Sequence, residues 1–261
     1  MEKAIDLRSK CRHFRVLVIG RANAGKTTIL KKVCNTVEDP EIFRPSGEKI
    51  DLAAVEGSAE RGLHNIDDQL IFKSNPQFIF HDSRGFESGS AEEVKKVEIF
   101  IAQRAAARDL SRQLHAIWYC LPTDTNRPLL ETDEQFFKKH GTGKVIAIFT
   151  KFDGLVTKAF QQLRAMKSLK EAKTESAEQA QKMLTTDFII PLKATNFAPS
   201  DYVHLGEIQI RELIQKTATA LTDDTLPVRL LFVSVQQNNI DVCARYAVKW
   251  QVDLQCLLVL C

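Results

Sequence analysis

The segment that most restricts this chain is Gly20-Arg21-Ala22-Asn23-Ala24-Gly25-Lys26-Thr27. It stands directly after an apolar run at 14–19 (FRVLVI) and directly before a helical pattern at 27–33. An apolar run without alternation marks a strand buried on both faces, as in a parallel sheet covered by helices. Two glycines around four residues, followed by Lys-Thr, let backbone N–H groups curl around phosphate oxygens with no Cβ in the way. The helix start adds a partial positive charge. Residues 20–28 are therefore the candidate phosphate loop, from Gly20, Arg21, Ala22, Asn23, Ala24 and Gly25 onward. Lys26 is assigned to the β- and γ-phosphates, the Thr27 hydroxyl to magnesium and Thr28 to the α-phosphate.

Two further motifs follow at the ends of apolar runs. Asp82-Ser83-Arg84-Gly85 comes about 55 residues after Lys26; its carboxylate is placed to hold magnesium through water and Gly85 to offer its N–H to a γ-phosphate. Thr150-Lys151-Phe152-Asp153 closes the run at 145–150. A carboxylate at Asp153 that accepts both N1–H and an exocyclic amine matches guanine and rejects adenine, which lacks that donor pair. Thr150, Lys151 and Asp153 are thus the candidate base readers.

The rest of the chain predicts a βα alternation: strands at 70–72, 78–80, 116–121 and 145–150, and helices at 91–110, 130–139 and 208–221. Residues 37–63 read as a long loop and Asn75-Pro76 as a turn between two strands. Val94, Val97, Ile101 and Ala105 share one face of the 91–110 helix. A strand at 228–235 and a helix from about 240 complete the pattern. The alternation argues for a mostly parallel sheet with helices on both faces, built as one enlarged domain of 261 residues.

Thirty-six basic residues against 33 acidic ones leave a formal charge of +3, too even to require nucleic acid or an anionic membrane. The six cysteines form no Cys-x-x-Cys or Cys/His cluster and read as reduced, buried thiols. No apolar run reaches membrane-spanning length and the first residues carry no apolar signal core, so the expected compartment is the cytoplasm. The tail Leu254-Gln255-Cys256-Leu257-Leu258-Val259-Leu260-Cys261 lacks the prenylation spacing, so no integral membrane contact is expected.

The order and spacing of the three motifs resemble the G domains of translation-factor-related (TRAFAC-class) P-loop GTPases, which include Ras-like and Era-like proteins. The chain looks closest to fungal proteins described only as G-domain-containing, distantly similar to AIG1-type GTPases, over about residues 12–250. The resemblance implies a three-layer α/β/α sandwich with a six-stranded, mostly parallel sheet and one antiparallel edge strand. It implies hydrolysis of GTP to GDP and phosphate with Mg2+, Lys26 and Gly85 acting on the γ-phosphate. Ser234-Val235-Gln236 stands where the family contacts the guanine carbonyl through backbone, although the family's usual Ala is Val235 here; Lys193-Ala194-Thr195 competes but follows no strong strand. Partners implied are GTP and GDP, an effector protein and a G-domain homodimer.

Departures from the family pattern bear on rate. No threonine occurs between Thr36 and Thr123, so the first switch lacks its usual magnesium ligand and Ser58 is the only plausible hydroxyl substitute. Phe86 stands where Ras-like enzymes place a water-orienting glutamine. Asn23 resembles the residue that holds a monovalent cation in potassium-activated G domains, with Glu92 or Glu93 in support, which makes K+ a candidate cofactor. Arg21 and Arg84 are alternative cations and are expected to be solvated. The long interval between Asp153 and Ser234 is read as a helical insertion at about 155–205, containing a charged helix at 155–184 with a stripe of Phe160, Leu163, Met166 and Leu169. That stripe packs on its own domain or meets a partner. Two rival functions are a nucleotide-binding scaffold without efficient hydrolysis and an ATP-using P-loop enzyme in which Asp153 is incidental.

Overall fold

The computed structural model describes residues 13–50, 65–83, 91–139, 144–204 and 210–221, with Val228, Phe232 and Val235. Strand β1 (Phe14–Gly20) is buried along its whole length. It runs parallel between β5 (Asn75–Asp82) and β6 (Ala116–Pro122). β7 (Val145–Thr150) and β8 (Asp201–His204) continue the parallel array. On the other flank β4 (Gln69–Phe72), β2 (Glu41–Phe43) and β3 (Lys49–Ile50) add antiparallel strands. The sheet order is β3-β2-β4-β5-β1-β6-β7-β8.

Alternation along β1 builds the layers. Phe14, Val16 and Val18 pack on one face with Ile29, Leu30 and Val33 of α1 (Lys26–Val33) and with Leu213 and Ile214 of α7 (Ile210–Ala220). Leu17 and Ile19 face the other way, onto α2 (Ala91–Ala105), α3 (Glu131–Lys139), α4 (Phe152–Arg164) and α5 (Leu169–Leu184). Successive side chains of a strand point to opposite faces, so one strand with apolar residues at every core position requires a cover on both sides. The α/β class with helices on both faces is as expected.

Several expectations differ. Among the described residues the sheet has eight strands rather than six, and β4, β2 and β3 join it through three antiparallel pairings rather than as one antiparallel edge strand: the presumed loop at 37–63 supplies β2 and β3, too short to show a period. The chain reverses at 73–74, and Asn75-Pro76 belongs to β5. In α2 the buried face is Val94, Val97, Phe100 and Ile101, while Ala105 is exposed. The single charged helix is two. α4 ends at Arg164, and Ser168 opens α5 with a capping box in which its hydroxyl and Glu171 exchange hydrogen bonds. Leu155, Ala159 and Leu163 are the buried stripe of α4; Met166 is 80% and Leu169 62% exposed, at the turn between the helices. A π-helical turn at Thr185–Ile189 carries α5 into the short α6 (Ile190–Lys193).

None of the three described residues of the segment expected as a strand at 228–235 is in one. Val228 and Phe232 are helical and Val235 is in a turn. These three are buried, at a spacing of four and three, which is the helical period. Among the described residues the last parallel strand is β8, four residues (DYVH) without an apolar run to announce it. The expected helix from 240 and the tail at 254–261 lie outside the described residues. Among the described residues no helix is long and apolar enough to cross a membrane, and the thiols of Cys34 and Cys120 are buried.

The run FRVLVI is not wholly apolar in its environment either. Arg15 is 9% exposed inside the sheet, and its N–H donates to His115 Nδ1 at 2.8 Å. Its guanidinium donates to the Ser111 carbonyl and meets His81 Nε2 at 3.2 Å. His115 Nε2 lies 3.2 Å from the Leu110 carbonyl, so the ring donates there and accepts at Nδ1, as a neutral imidazole does. Burial first, then the positive charge of Lys144, holds the His115 pKa down to about 3.

The unfolded chain binds a proton at His115 below the ordinary imidazole value of about 6.5, whereas the folded protein does not until about 3. The contribution of His115 to stability is therefore level above about pH 6.5 and falls as pH drops from there toward 3. Replacing His115 by Gln should flatten that acid limb by an amount on the order of a few kcal/mol. Urea unfolding of both proteins at about pH 4.5 and about pH 7.5 checks it; equal differences between the two pH values would refute it.

Candidate functional site

The carboxyl ends of β1, β5 and β7 open onto one cavity of about 790 Å³. It is lined by Asn23, Ala24, Gly25, Lys26, Thr27 and Thr28 from the loop after β1, by Asp82 from β5, and by Thr150, Lys151 and Asp153 after β7. Ile29, Lys32 and Ile210 complete the wall. Three motifs spread over more than a hundred residues of chain thus meet because parallel strands present all their carboxyl-end loops along one edge.

The chain leaves β1 at Gly20 under tight constraint. A Cβ there would stand 2.5 Å from the Cys120 carbonyl oxygen of the neighbouring strand, and φ is 153°. Only glycine passes that point. Asn23 (φ 57°) and Gly25 (φ 78°) then turn the loop in left-handed conformations, and Gly25 caps α1. Lys26 Nζ donates to the carbonyls of Gly20 at 3.1 Å and Arg21 at 3.2 Å, and lies 3.8 Å from Asp82 Oδ1. The lysine is folded back over the loop, its ammonium held at the mouth of the turn. The hydroxyls of Thr27 and Thr28 are on exposed residues at the cavity wall.

Gly20, Arg21 and Ala22 are not among the lining residues, and Arg21 is the clear correction: it is not solvated. Only 7% exposed, it donates to the Arg127 carbonyl at 3.0 Å and the Pro128 carbonyl at 3.0 Å, and pairs with Asp133 at 2.7 Å. Asp133 is fully buried and also accepts from Tyr119 Oη at 2.7 Å and from the Leu130 N–H at 2.8 Å. Burial first, then the Asp133 carboxylate, pushes the Tyr119 phenol well above its ordinary value, so it stays a donor. Both carboxylate oxygens meet donors, which is the condition under which a buried ion pair is tolerated. The side chain anchors the phosphate loop to α3 from behind.

At the other end, Lys151 adopts φ 55° at the start of α4 and its Nζ reaches Asp124 Oδ2 at 2.9 Å. Asp153 is exposed and open to a ligand edge. Thr150 is only 5% exposed, and its Oγ1 is buried with no hydrogen-bond partner among the described residues. An orphaned hydroxyl costs about 1–3 kcal/mol unless a ligand or water satisfies it. Asp124 and Thr123 went unnoticed in the sequence, although the loop after β6 also belongs to the carboxyl edge and Pro122 marks its start.

Val235 does not join the cavity. Val235 is fully buried, and its carbonyl accepts from Asn75 Nδ2 at 3.0 Å. Asn75 opens β5, so Val235 sits at the amino-end edge of the parallel strands, opposite the cavity. The expected role of Val235 in base contact is overturned by that placement. Ser234, Gly85, Arg84, Phe86 and Ser58 lie outside the described residues.

The donor set suits magnesium. Thr27 and Asp82 supply hard oxygen atoms on one cavity, and magnesium takes one or two such ligands with phosphate oxygens and water. Among the described residues no group of three or more His, Cys, Asp or Glu side chains could hold a metal by itself.

No protein-family profile and no curated protein matches the sequence. Solved structures similar to this chain include the septin GTPase domain from Chlamydomonas reinhardtii, at 16% identity over 78% of this chain and 70% of that one, with a TM-score of 0.36. Another is a point mutant of S. thermophilus NFeoB bound to GDP, at 12% identity over 94% of both chains, TM-score 0.35. A second point mutant of the same protein, bound to mGDP, is similar over 95% of this chain and 94% of that one, also at 12% identity and TM-score 0.35. Likenesses of this size carry no weight for the chemistry of the cavity.

Replacing Asp133 by Asn should destabilise the protein by about 3–5 kcal/mol, because Arg21 would keep a buried charge without its counter-ion. Thermal unfolding measures it. A loss below about 1 kcal/mol would mean that the pair is not buried as described.

Proposed function

We propose that this chain binds guanine nucleotides with magnesium and hydrolyses GTP slowly, as a nucleotide-dependent switch. One observation carries the reading: the phosphate loop, Asp82 and the Thr150-Lys151-Asp153 segment line a single cavity. Its length from Thr27 to Asp153 offers phosphate ligands at one end and a carboxylate at the other. ATP fits the phosphate end equally well, so Asp153 is what favours guanine.

The chemistry is attack of water on the γ-phosphorus of GTP. The new P–O bond forms as the bond to the bridging oxygen breaks; that oxygen leaves with the electron pair as GDP, and the water proton passes to the released phosphate. Lys26 leaves the Gly20 and Arg21 carbonyls to meet the β- and γ-oxygens, and the N–H groups of 23–28 stabilise charge that grows in the transition state. Thr27 and Asp82 would hold magnesium, which would supply positive charge to offset that of the phosphates. Gly85 offers its N–H to the γ-phosphate. Phe86 has no group to orient water, and that keeps the intrinsic rate low.

The same residues favour one alternative. With Phe86 in place of glutamine and no threonine from 37 to 122, the chain would serve as a nucleotide-binding scaffold. A single-turnover GTP assay separates the two. The Era- and AIG1-like placement, a single G domain with the helices at 155–205 as a partner surface, a G-domain homodimer and a cytoplasmic location belong to this proposal. So do the lack of a nucleic-acid partner and a potassium ion near Asn23, which lines the cavity in a left-handed turn.

Asp153→Ala should lower the preference for GTP over ATP roughly a hundredfold, as two hydrogen bonds to a charged acceptor are lost. Lys26→Ala should weaken both nucleotides. Titrations with labelled GTP competed by ATP, with magnesium and with a chelator, read both effects; an unchanged preference in the Asp153 variant would sink the guanine reading. Turnover should be faster in potassium than in sodium buffer, and equal rates would remove the potassium site.

A further inference from the structure

Thr123, one residue past β6, is 1% exposed and faces no solvent. Its N–H donates to the Thr150 carbonyl at 3.0 Å, and its Oγ1 lies 3.0 Å from the carbonyls of both Thr150 and Lys151. A hydroxyl has one proton, so it is shared between the two oxygens. Those carbonyls belong to the residue before, and the residue at, the left-handed Lys151 turn. A lysine in that conformation is disfavoured and persists only when its surroundings hold it.

The next residue adds to the grip. Asp124 pairs with Lys151 Nζ and comes so close to α4 that a Cβ on Gly154 would stand 2.7 Å from Asp124 Cβ. At its far end the same loop receives the Arg21 guanidinium, on the carbonyls of Arg127 and Pro128. Residues 123–130 therefore touch the base-reading turn at one end and the phosphate loop at the other. The exposed Asp124–Lys151 pair, 40% accessible on each side, contributes little by itself. The buried hydroxyl of Thr123 is the stronger attachment.

We propose that Thr123 is a positioning residue for guanine selectivity: its hydroxyl holds the Lys151 turn so that Asp153 stands at a set distance from the phosphate loop. This rests on the guanine reading above. Thr123 is not itself a lining residue of the cavity and acts only through the turn. A nucleotide that is held by its phosphates alone is indifferent to it; one that must also reach Asp153 is not.

The test compares the affinities of GDP and ADP, both with magnesium, in the full chain and in Thr123→Val, which keeps the shape and removes the hydroxyl. GDP should weaken about tenfold with ADP unchanged, and Thr123→Ser, which restores the hydroxyl, should return the ratio of the unaltered protein. If Val at this position prevents folding, Thr123→Ala reads the same ratio. An unchanged ratio, or an equal loss for both nucleotides, overturns the proposal while leaving the guanine reading intact. An unaltered protein that shows no preference for GDP overturns both.

Discussion

The Cys120 carbonyl oxygen leaves no room for a side chain at Gly20, and the rest of the site depends on that closeness. Because β1 and β6 are parallel neighbours in register from Val16 to Gly20, the chain leaves the sheet hard against the adjacent backbone. A Cβ would lift the loop away from the strand and shift each N–H that follows. The glycine thus serves less for flexibility than for contact. It lets the loop start low on the sheet edge, level with Asp82 on β5, whose register partner is Val18.

Charge is managed in two ways around that start. Lys26 sits on carbonyl oxygens of its own loop, neutral acceptors that an anionic one can replace. Arg21 is committed, buried against Asp133 with Tyr119 completing the set. A lysine is a compact charge on a flexible stem, whereas a guanidinium presents a fixed fork that suits several oxygens at once. The two cations of one loop therefore divide the work, the arginine fixing the loop from below while the lysine stays available above it.

Local patterns with a strong chemical signature were legible. The glycine spacing of 20–27, the apolar runs of β1 and β7 and the T-K-x-D carboxylate all depend on neighbours in the chain. Failures came where the partner is distant. Arg21 looks like a surface cation, yet it is buried because Asp133 comes to it from elsewhere, and Arg15, inside a run read as apolar, is met by His115 and His81. The run at 228–235 looked like a strand, since Val, Leu and Phe side by side suit a strand or a buried helix equally. The strands β2, β3 and β8 carry two to four residues and are set by pairing with neighbours rather than by their own composition.

What the sequence determined by itself is the set of groups offered: a loop bounded by two glycines and closed by Lys-Thr, hard oxygen atoms at Thr27 and Asp82, and a carboxylate just past a strand end. These follow from residue type and spacing along a few consecutive positions. The tertiary structure decided which of them meet. Parallel pairing gathered residues 23–28, 82 and 150–153 on one cavity and left Val235 at the opposite edge with Asn75. It also brought Thr123 against the Lys151 turn, 28 residues away. Pairing between strands is a long-range choice made by burial on two faces, and no short stretch of chain contains it.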